Sequence, residues 1–271
     1  MAKKESGVAL VTGASSGIGR ATVQTLVQAG YRVFGTSRKK VADAHQGVHM
    51  LVCDVTDDAS VDSMLQEVMS VAGRIDLVVN NAGAALIGGA EESSVAQAQA
   101  LFDVNVFGIF RVTNGVLPIM RKQGSGRIVN VSSVVGFLPG PFNAIYTSTK
   151  HAVEGYSESL DHEVRAFGIR VVLVEPAFTR TALEDSAVEP DRKLAVYERG
   201  RAGMNTTWRN AIASGDTPEQ VASTIVKAAS DCTPNLRYTP GKKAGQLRTM
   251  RRFVPEKMFE KSFRKEMGLP G

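Results

Sequence analysis

The chain has little of what specialised small folds depend on. Its two cysteines, Cys53 and Cys232, cannot build a disulfide framework and have no metal-type spacing with any of the four histidines. They suit a reducing compartment, and no metal site is expected. No repeat or low-complexity tract occurs, which excludes solenoid and fibrous designs. No stretch approaches the length needed to span a membrane. The apolar run in the opening MAKKESGVALVTGA is too short for a signal-peptide core and leads directly into a glycine-rich turn. The expectation is a cytoplasmic globule.

What is present is ordinary soluble-protein material. The 271 residues are 43% hydrophobic and 22% charged, long enough to bury a substantial core, and no stretch resembles a linker. The net charge is +5, with a pI near 9.2. The excess is local: basic residues crowd RYTPGKKAGQLRTMRRFVPEKMFEKSFRKEMG, whereas the first two-thirds is nearly balanced. Residues 241–271 read as a basic helical extension, either solvated or facing a subunit, with an anion-attracting surface as the alternative. Phe253, Met258, Phe259 and Phe263 are interleaved with the cations and suit docking against protein at least as well. Neither nucleic acid nor a membrane surface is expected as a partner.

Apolar, β-branched segments alternate with longer amphipathic ones, the pattern of repeated βαβ units around a parallel sheet. Strands are predicted over Val8 to Thr12, Arg32 to Ser37, His49 to Asp54, Leu77 to Asn80, Arg127 to Ser132 and Arg170 to Val174, with helices near 18–29, 59–72, 95–122 and 144–167. After Val174 the regularity breaks. Residues 182–216 are charged and interrupted by Pro190 before Thr217 and Pro218 open a new helix. One doubly wound α/β sheet with a long excursion after its sixth strand is the economical fold.

Two local patterns carry chemistry. VALVTGASSGIGR runs strand, turn, helix, and Gly13, Gly17 and Gly19 stand where a tight turn, a close approach to phosphate and close helix packing each require a missing side chain. The following helix would aim its N–H groups at a pyrophosphate. YTSTK places Tyr146 and Lys150 four residues apart on a predicted helix, where both can point into one space. Taken alone, that pair is an ordinary coincidence of common residues.

Together, TGASSGIG, NNAG at 80–83 and YTSTK, in this order and at these intervals, resemble the short-chain dehydrogenase/reductase family over about residues 6–240. The resemblance implies a single-domain Rossmann fold with a parallel sheet of about seven strands and helices on both faces. It implies a dinucleotide held by Gly13, Ser15, Ser16, Gly17, Ile18, Gly19, Ser37, Arg38, Asp54, Val55, Asn80, Ala82, Gly83, Tyr146, Lys150, Pro176 and Thr181. Asp54 would meet the adenine, with helix capping as its alternative role, and Asn80 would hold the sheet and line the pocket. Where an acidic residue would bind the adenosine ribose in an NAD enzyme, this chain has Ser37 followed by Arg38, Lys39 and Lys40. A carboxylate would repel a 2′-phosphate, and a guanidinium can bind it with two charge-assisted bonds, so NADP(H) is favoured over NAD. The alternative is a surface turn capped by cations.

The same resemblance implies a catalytic set of Asn105, Ser133, Tyr146 and Lys150. A phenol titrates near pH 10 in isolation, and a nearby ammonium stabilises its anion. Tyr146 is thus the acid in reduction and the base in oxidation, and Lys150 tunes it while bonding the nicotinamide ribose. Ser133, thirteen positions earlier, orients the substrate oxygen, with Ser132 the lesser candidate; Asn105 supports the lysine through water. One departure is visible: EPAFTRT has Ala177 where the family usually has glycine. Leu86, Ile87, Phe137, Leu138, Phe142 and Phe178 should border the nicotinamide. They are apolar, and the chain resembles the hydroxysteroid and retinol dehydrogenase branch, so a lipophilic ketone or secondary alcohol is the expected substrate. The alternative is a catalytically silent dinucleotide sensor or scaffold. A homodimer or homotetramer through the helices at 95–122 and 144–167 is implied. The excursion at 182–216 is expected to be a substrate lid, open or disordered without ligands, that carries the only tryptophan, Trp208; its alternative is a rigid pair of surface helices.

Overall fold

A computed structural model describes residues 7–41, 47–181 and 187–269. Its strands are β1 (Val8–Val11), β2 (Arg32–Ser37), β3 (Val48–Val52), β4 (Leu77–Asn80), β5 (Gly126–Val131), β6 (Ile169–Val174) and β7 (Arg237–Tyr238). All pair in parallel, in the order β3-β2-β1-β4-β5-β6-β7. The helices are α1 (Gly17–Gln28), α2 (Asp58–Ala72), α3 (Val95–Phe102), α4 (Gly108–Gln123), α5 (Ala144–Val164), α6 (Ala195–Ala213), α7 (Pro218–Ser230), α8 (Gly241–Phe253) and α9 (Glu256–Glu266). This is a single-domain Rossmann fold with a seven-stranded sheet, as expected from the sequence.

Alternation along each strand builds two cores. Val8 and Leu10 of β1 and Val78 of β4 pack with Leu65 of α2 and Val116 of α4. Their neighbours Ala9 and Val11 of β1, and Val79 of β4, pack on the other face with Leu26 of α1 and Ile225 of α7. Side chains of consecutive strand residues point to opposite faces, so near-continuous apolar strands are what a sheet covered on both sides requires. Successive strands run outward from β1 to β3 and then return to β4. The reversal opens a crevice beyond the carboxyl ends of β1 and β4, the binding position of doubly wound sheets.

The predicted helix at 95–122 is continuous but irregular: a π-helical stretch, Asp103–Phe107, lies between α3 and α4. By length and composition the helical run Val95–Gln123 is long and apolar enough to cross a membrane, which corrects the expectation that no stretch is. Here its apolar side is core: Val112, Val116 and Met120 are fully buried. Val95 and Phe107 are exposed on its outer side.

One carboxylate ties the end of α5 to β6. Asp161 of α5 is fully buried and accepts bonds from Arg165 Nε (2.9 Å), Arg170 Nε (2.9 Å) and the Val171 N–H (2.8 Å). Burial opposes its charge, but Arg170, the Val171 N–H and Arg165 outweigh it and hold the carboxyl below its usual range. Because the folded pKa is depressed, this contribution is present above the unfolded value of about 3.9 and is lost as pH falls through the folded one. Removing one partner strands the others, so Asp161→Ala should lower the unfolding free energy in urea by about 3–5 kcal/mol at neutral pH. The deficit should shrink below about pH 4. A loss under about 1 kcal/mol would contradict this account.

Candidate active site

The crevice is a cavity of about 860 Å³, within the range of small-molecule and cofactor sites. At its base the turn between β1 and α1 is held tightly. Gly13 has φ +66°, and a Cβ there would lie 2.8 Å from Ala82 Cα; a Cβ at Gly19 would lie 2.1 Å from Gly13 O. No side chain fits either position. Asn81 Nδ2 donates to Thr12 O and Gly13 O, both at 3.0 Å, while Thr12 Oγ1 accepts from the Asn81 and Ala82 N–H groups at 3.0 Å. Ser16 starts α1 without a side-chain cap bond. The first-turn N–H groups of α1 thus point at the cavity without an intrahelical partner.

Of the residues expected to hold a dinucleotide, Gly13, Ser15, Ser16, Gly17, Ile18, Ser37, Arg38, Asp54, Val55, Ala82, Gly83, Tyr146, Lys150, Pro176 and Thr181 all line this cavity. Gly19 lies behind the turn, where it permits the close packing just described. Asn80 holds the sheet, as expected, but does not line the cavity, which corrects the cofactor role expected of it. It is buried on the α2/α4/α5 face, two residues from Val78, and donates to Asn130 Oδ1 at 2.8 Å. Asn81, one residue on, reaches the cavity in its place. Asp54 accepts from Thr56 N (3.0 Å) and Thr56 Oγ1 (2.8 Å), which hold its carboxyl below the usual range with help from Arg38 and Arg111. It does not cap α2; Asp57 does, accepting from Ala59 N at 3.2 Å.

On the opposite wall, α5 carries Tyr146 and Lys150, and Ser133 lies at the end of the loop after β5. Lys150 Nζ stands 5.6 Å from the centre of the Tyr146 ring and donates to Val131 O at 2.9 Å. Burial lowers its pKa to about 8, against an upward pull from Glu154 one turn on. Ser133 Oγ accepts from Val135 N at 3.3 Å, and its hydroxyl faces the same cavity. Ser132 also lines the cavity; its buried Oγ has no partner. Asn105 sits in the π-helical stretch and does not line the cavity. Its side chain accepts from Ala84 N (2.8 Å) and donates to Ala84 O (3.0 Å) and Thr149 Oγ1 (3.2 Å). It braces the loop after NNAG against α5, next to Lys150, and its hydrogen bonds go to that brace.

The expected substrate wall is only partly correct. Ile87 and Phe178 line the cavity. Leu86 is buried in a bridge to Val188, Phe137 lies under the Arg248 guanidinium, and Phe142 turns its ring towards Tyr197. Trp208 of α6 supplies the wall instead, edge to face with Phe178 at 5.2 Å. Residues 182–186 of the excursion fall outside the described residues, and among the described ones it holds one helix, α6. It is clasped by Glu92, which pairs with Arg201 and accepts from Leu194 N (2.8 Å) and Gly89 N (2.7 Å). Burial opposes the Glu92 charge, but these donors hold its carboxyl below the usual range. The second of two adjacent glutamates in a segment of small residues gives no sequence signal of such a clasp.

The glycine cradle, the open first turn of α1 and the row from Ser37 to Lys39 are a donor set that fits a dinucleotide. The short chain dehydrogenase family profile matches residues 7–192. A short-chain dehydrogenase from Streptomyces avermitilis superposes with a TM-score of 0.82 at 34% identity, covering 98% of this chain and 99% of that one. A short chain dehydrogenase/reductase from Burkholderia phymatum, solved in complex with NAD, gives 0.81 at 27% identity over 96% and 97%. The 3-ketodihydrosphingosine reductase of Bacteroides thetaiotaomicron is 41% identical over 179 residues, 66% of each chain. The chain belongs to the short chain dehydrogenase family and is an oxidoreductase of that type. Members of this family typically take small-molecule substrates and assemble as oligomers.

The buried ammonium offers a direct check. In the free protein the Lys150 ε-methylene should titrate near pH 8 by NMR, well below the ~10.4 of exposed lysines. Glu154→Gln, which removes the upward pull, should lower it further. Titration of Lys150 together with the surface lysines would refute the burial argument.

Proposed function

We propose that the protein is an NADP(H)-dependent reductase of lipophilic ketones, or dehydrogenase of the matching secondary alcohols. The observation that carries this reading is the convergence of Tyr146, Lys150 and Ser133 on one wall of the cavity whose opposite end holds Ser37 and Arg38. Gly13, Gly17 and the α1 N-terminus would bind the pyrophosphate, and Arg38 a ribose 2′-phosphate. The bound nicotinamide supplies a hydride to the carbonyl carbon, or accepts one from the alcohol.

The chain's own residues do the rest. Ser133 orients the substrate oxygen by hydrogen bonding. Tyr146 donates its phenolic proton to that oxygen as the carbonyl becomes an alcohol, and in oxidation the phenolate takes the proton back. Lys150, at 5.6 Å from the ring, makes the phenolate less costly. Asn105 holds the Ala84 loop and α5 in register. Apolar Ile87, Phe178 and Trp208 exclude water and set a preference for lipophilic groups. The name of the Bacteroides relative, a reductase of a keto derivative of dihydrosphingosine, is consistent with that class. In this reading α6 acts as a cover over the substrate, with Glu92 fixing one end of it.

Arg38→Ala should weaken NADPH about tenfold, or ~1.4 kcal/mol, and leave NADH unchanged in a direct titration. Equal affinities for the two cofactors in the unmodified protein would remove the NADP(H) assignment. Tyr146→Phe should keep cofactor affinity within about threefold while turnover falls by at least about a hundredfold. Retention of most of the turnover would rule out the phenol as proton donor.

A further inference from the structure

A second cavity, of about 80 Å³, lies beneath α8 and α9. Val134, Val135, Phe178 and Trp208 line both cavities, so the two share a wall. Past that wall, Leu247 of α8, Phe263 of α9 and Ala211 of α6 line the smaller space. Its roof is fixed to the active-site frame. Arg248 of α8 pairs with the fully buried Glu175 at the end of β6 and lies over the Phe137 ring at 5.3 Å. Phe259 of α9 is buried with Val134 and Leu138, immediately after Ser133.

Thr207, Lys243 and Glu266 also border this space, but its lining is mostly apolar, and space of this size and character is filled by a few methylene groups more readily than by water. The space is close to where a ketone would react, because Val134 and Val135 directly follow Ser133. Trp208 Nε1 is buried in the shared wall without a hydrogen-bond partner. The wall therefore retains one donor for an oxygen of a ligand lying against it.

We propose that this smaller cavity is a substrate subsite that takes an unbranched aliphatic arm, while the carbonyl lies in the larger cavity beside Tyr146 and Ser133. The inference rests on the ketone-reductase reading. It makes α8 and α9 determinants of substrate chain length. It also separates straight-chain lipids from rigid ring systems, which could not pass an arm across the Phe178–Trp208 wall.

The test uses unbranched 2-alkanones from 2-butanone to 2-dodecanone, with NADPH turnover and the change in Trp208 emission on ketone binding measured in parallel. In the unmodified protein kcat/KM should rise about fourfold per methylene over about three consecutive additions, then level off. Ala211→Leu, which fills the space, should flatten the rise by about tenfold or more, and Leu247→Ala, which enlarges it, should move the plateau to longer ketones. A flat profile in the unmodified protein, or a rise that neither variant alters, overturns the subsite and leaves the reductase reading intact. Ketones that bind with the expected length dependence and variant effects but are not reduced overturn the reductase reading and support the subsite. Absence of both binding and turnover overturns the proposal.

Discussion

The structure depends on how closely α1 approaches the end of β1. With Gly19 over Gly13 O and the Asn81 amide bridging Thr12 O and Gly13 O, the first turn of α1 is locked at the point where the strand order reverses. Every other feature of the cavity is placed relative to that corner. β4 delivers Asn81 and Ala82 to it, the end of β2 brings Ser37 and Arg38 alongside, and Thr181 closes over Gly17. A side chain at either glycine would push α1 off the sheet and separate these groups.

The opposite wall is organised by α5, a 21-residue helix with three separate commitments along its length. Its first turns present Tyr146 and Lys150. Its middle joins the core through Val153 and the buried bond from Asn130 to Ser157 (2.8 Å), and its last turns hold Asp161. Because Asn105 bonds Thr149 and Ala84 together, the helix and the NNAG loop behave as one wall. The lysine loses hydration there and donates to the Val131 carbonyl. Desolvation therefore dominates its titration more than any single neighbour does.

Much of this was legible in the sequence because the relevant constraints are local. Strand alternation, the glycines of the turn and the four-residue spacing in α5 are set by near neighbours, and the strands from β1 to β6 lie where the pattern predicts them to within about two residues. What was misread depends on contacts between distant segments. Asn80 and Asn81 are adjacent and identical, and only the strand's facing decides which one enters the cavity. The two-residue β7 is too short to show a period, and its pairing comes from β6. Phe137 and Phe142 are apolar as expected for a substrate wall, but Arg248 and Tyr197, far along the chain, draw them elsewhere. The Glu92 clasp joins residues about a hundred positions apart, with no local pattern to announce it.

The packing of Phe259 against Val134 and Leu138 has a consequence for how the molecule is made. The catalytic wall is encoded in the middle of the chain, but its backing arrives near the end. A nascent chain can pair β1 to β6 and fold α1 to α5 on the ribosome while the segment behind Ser133 still faces water. Without α8 and α9 in place, Val134 and Leu138 would face water beside Ser133, so these two helices are what keeps the back of the catalytic wall dry.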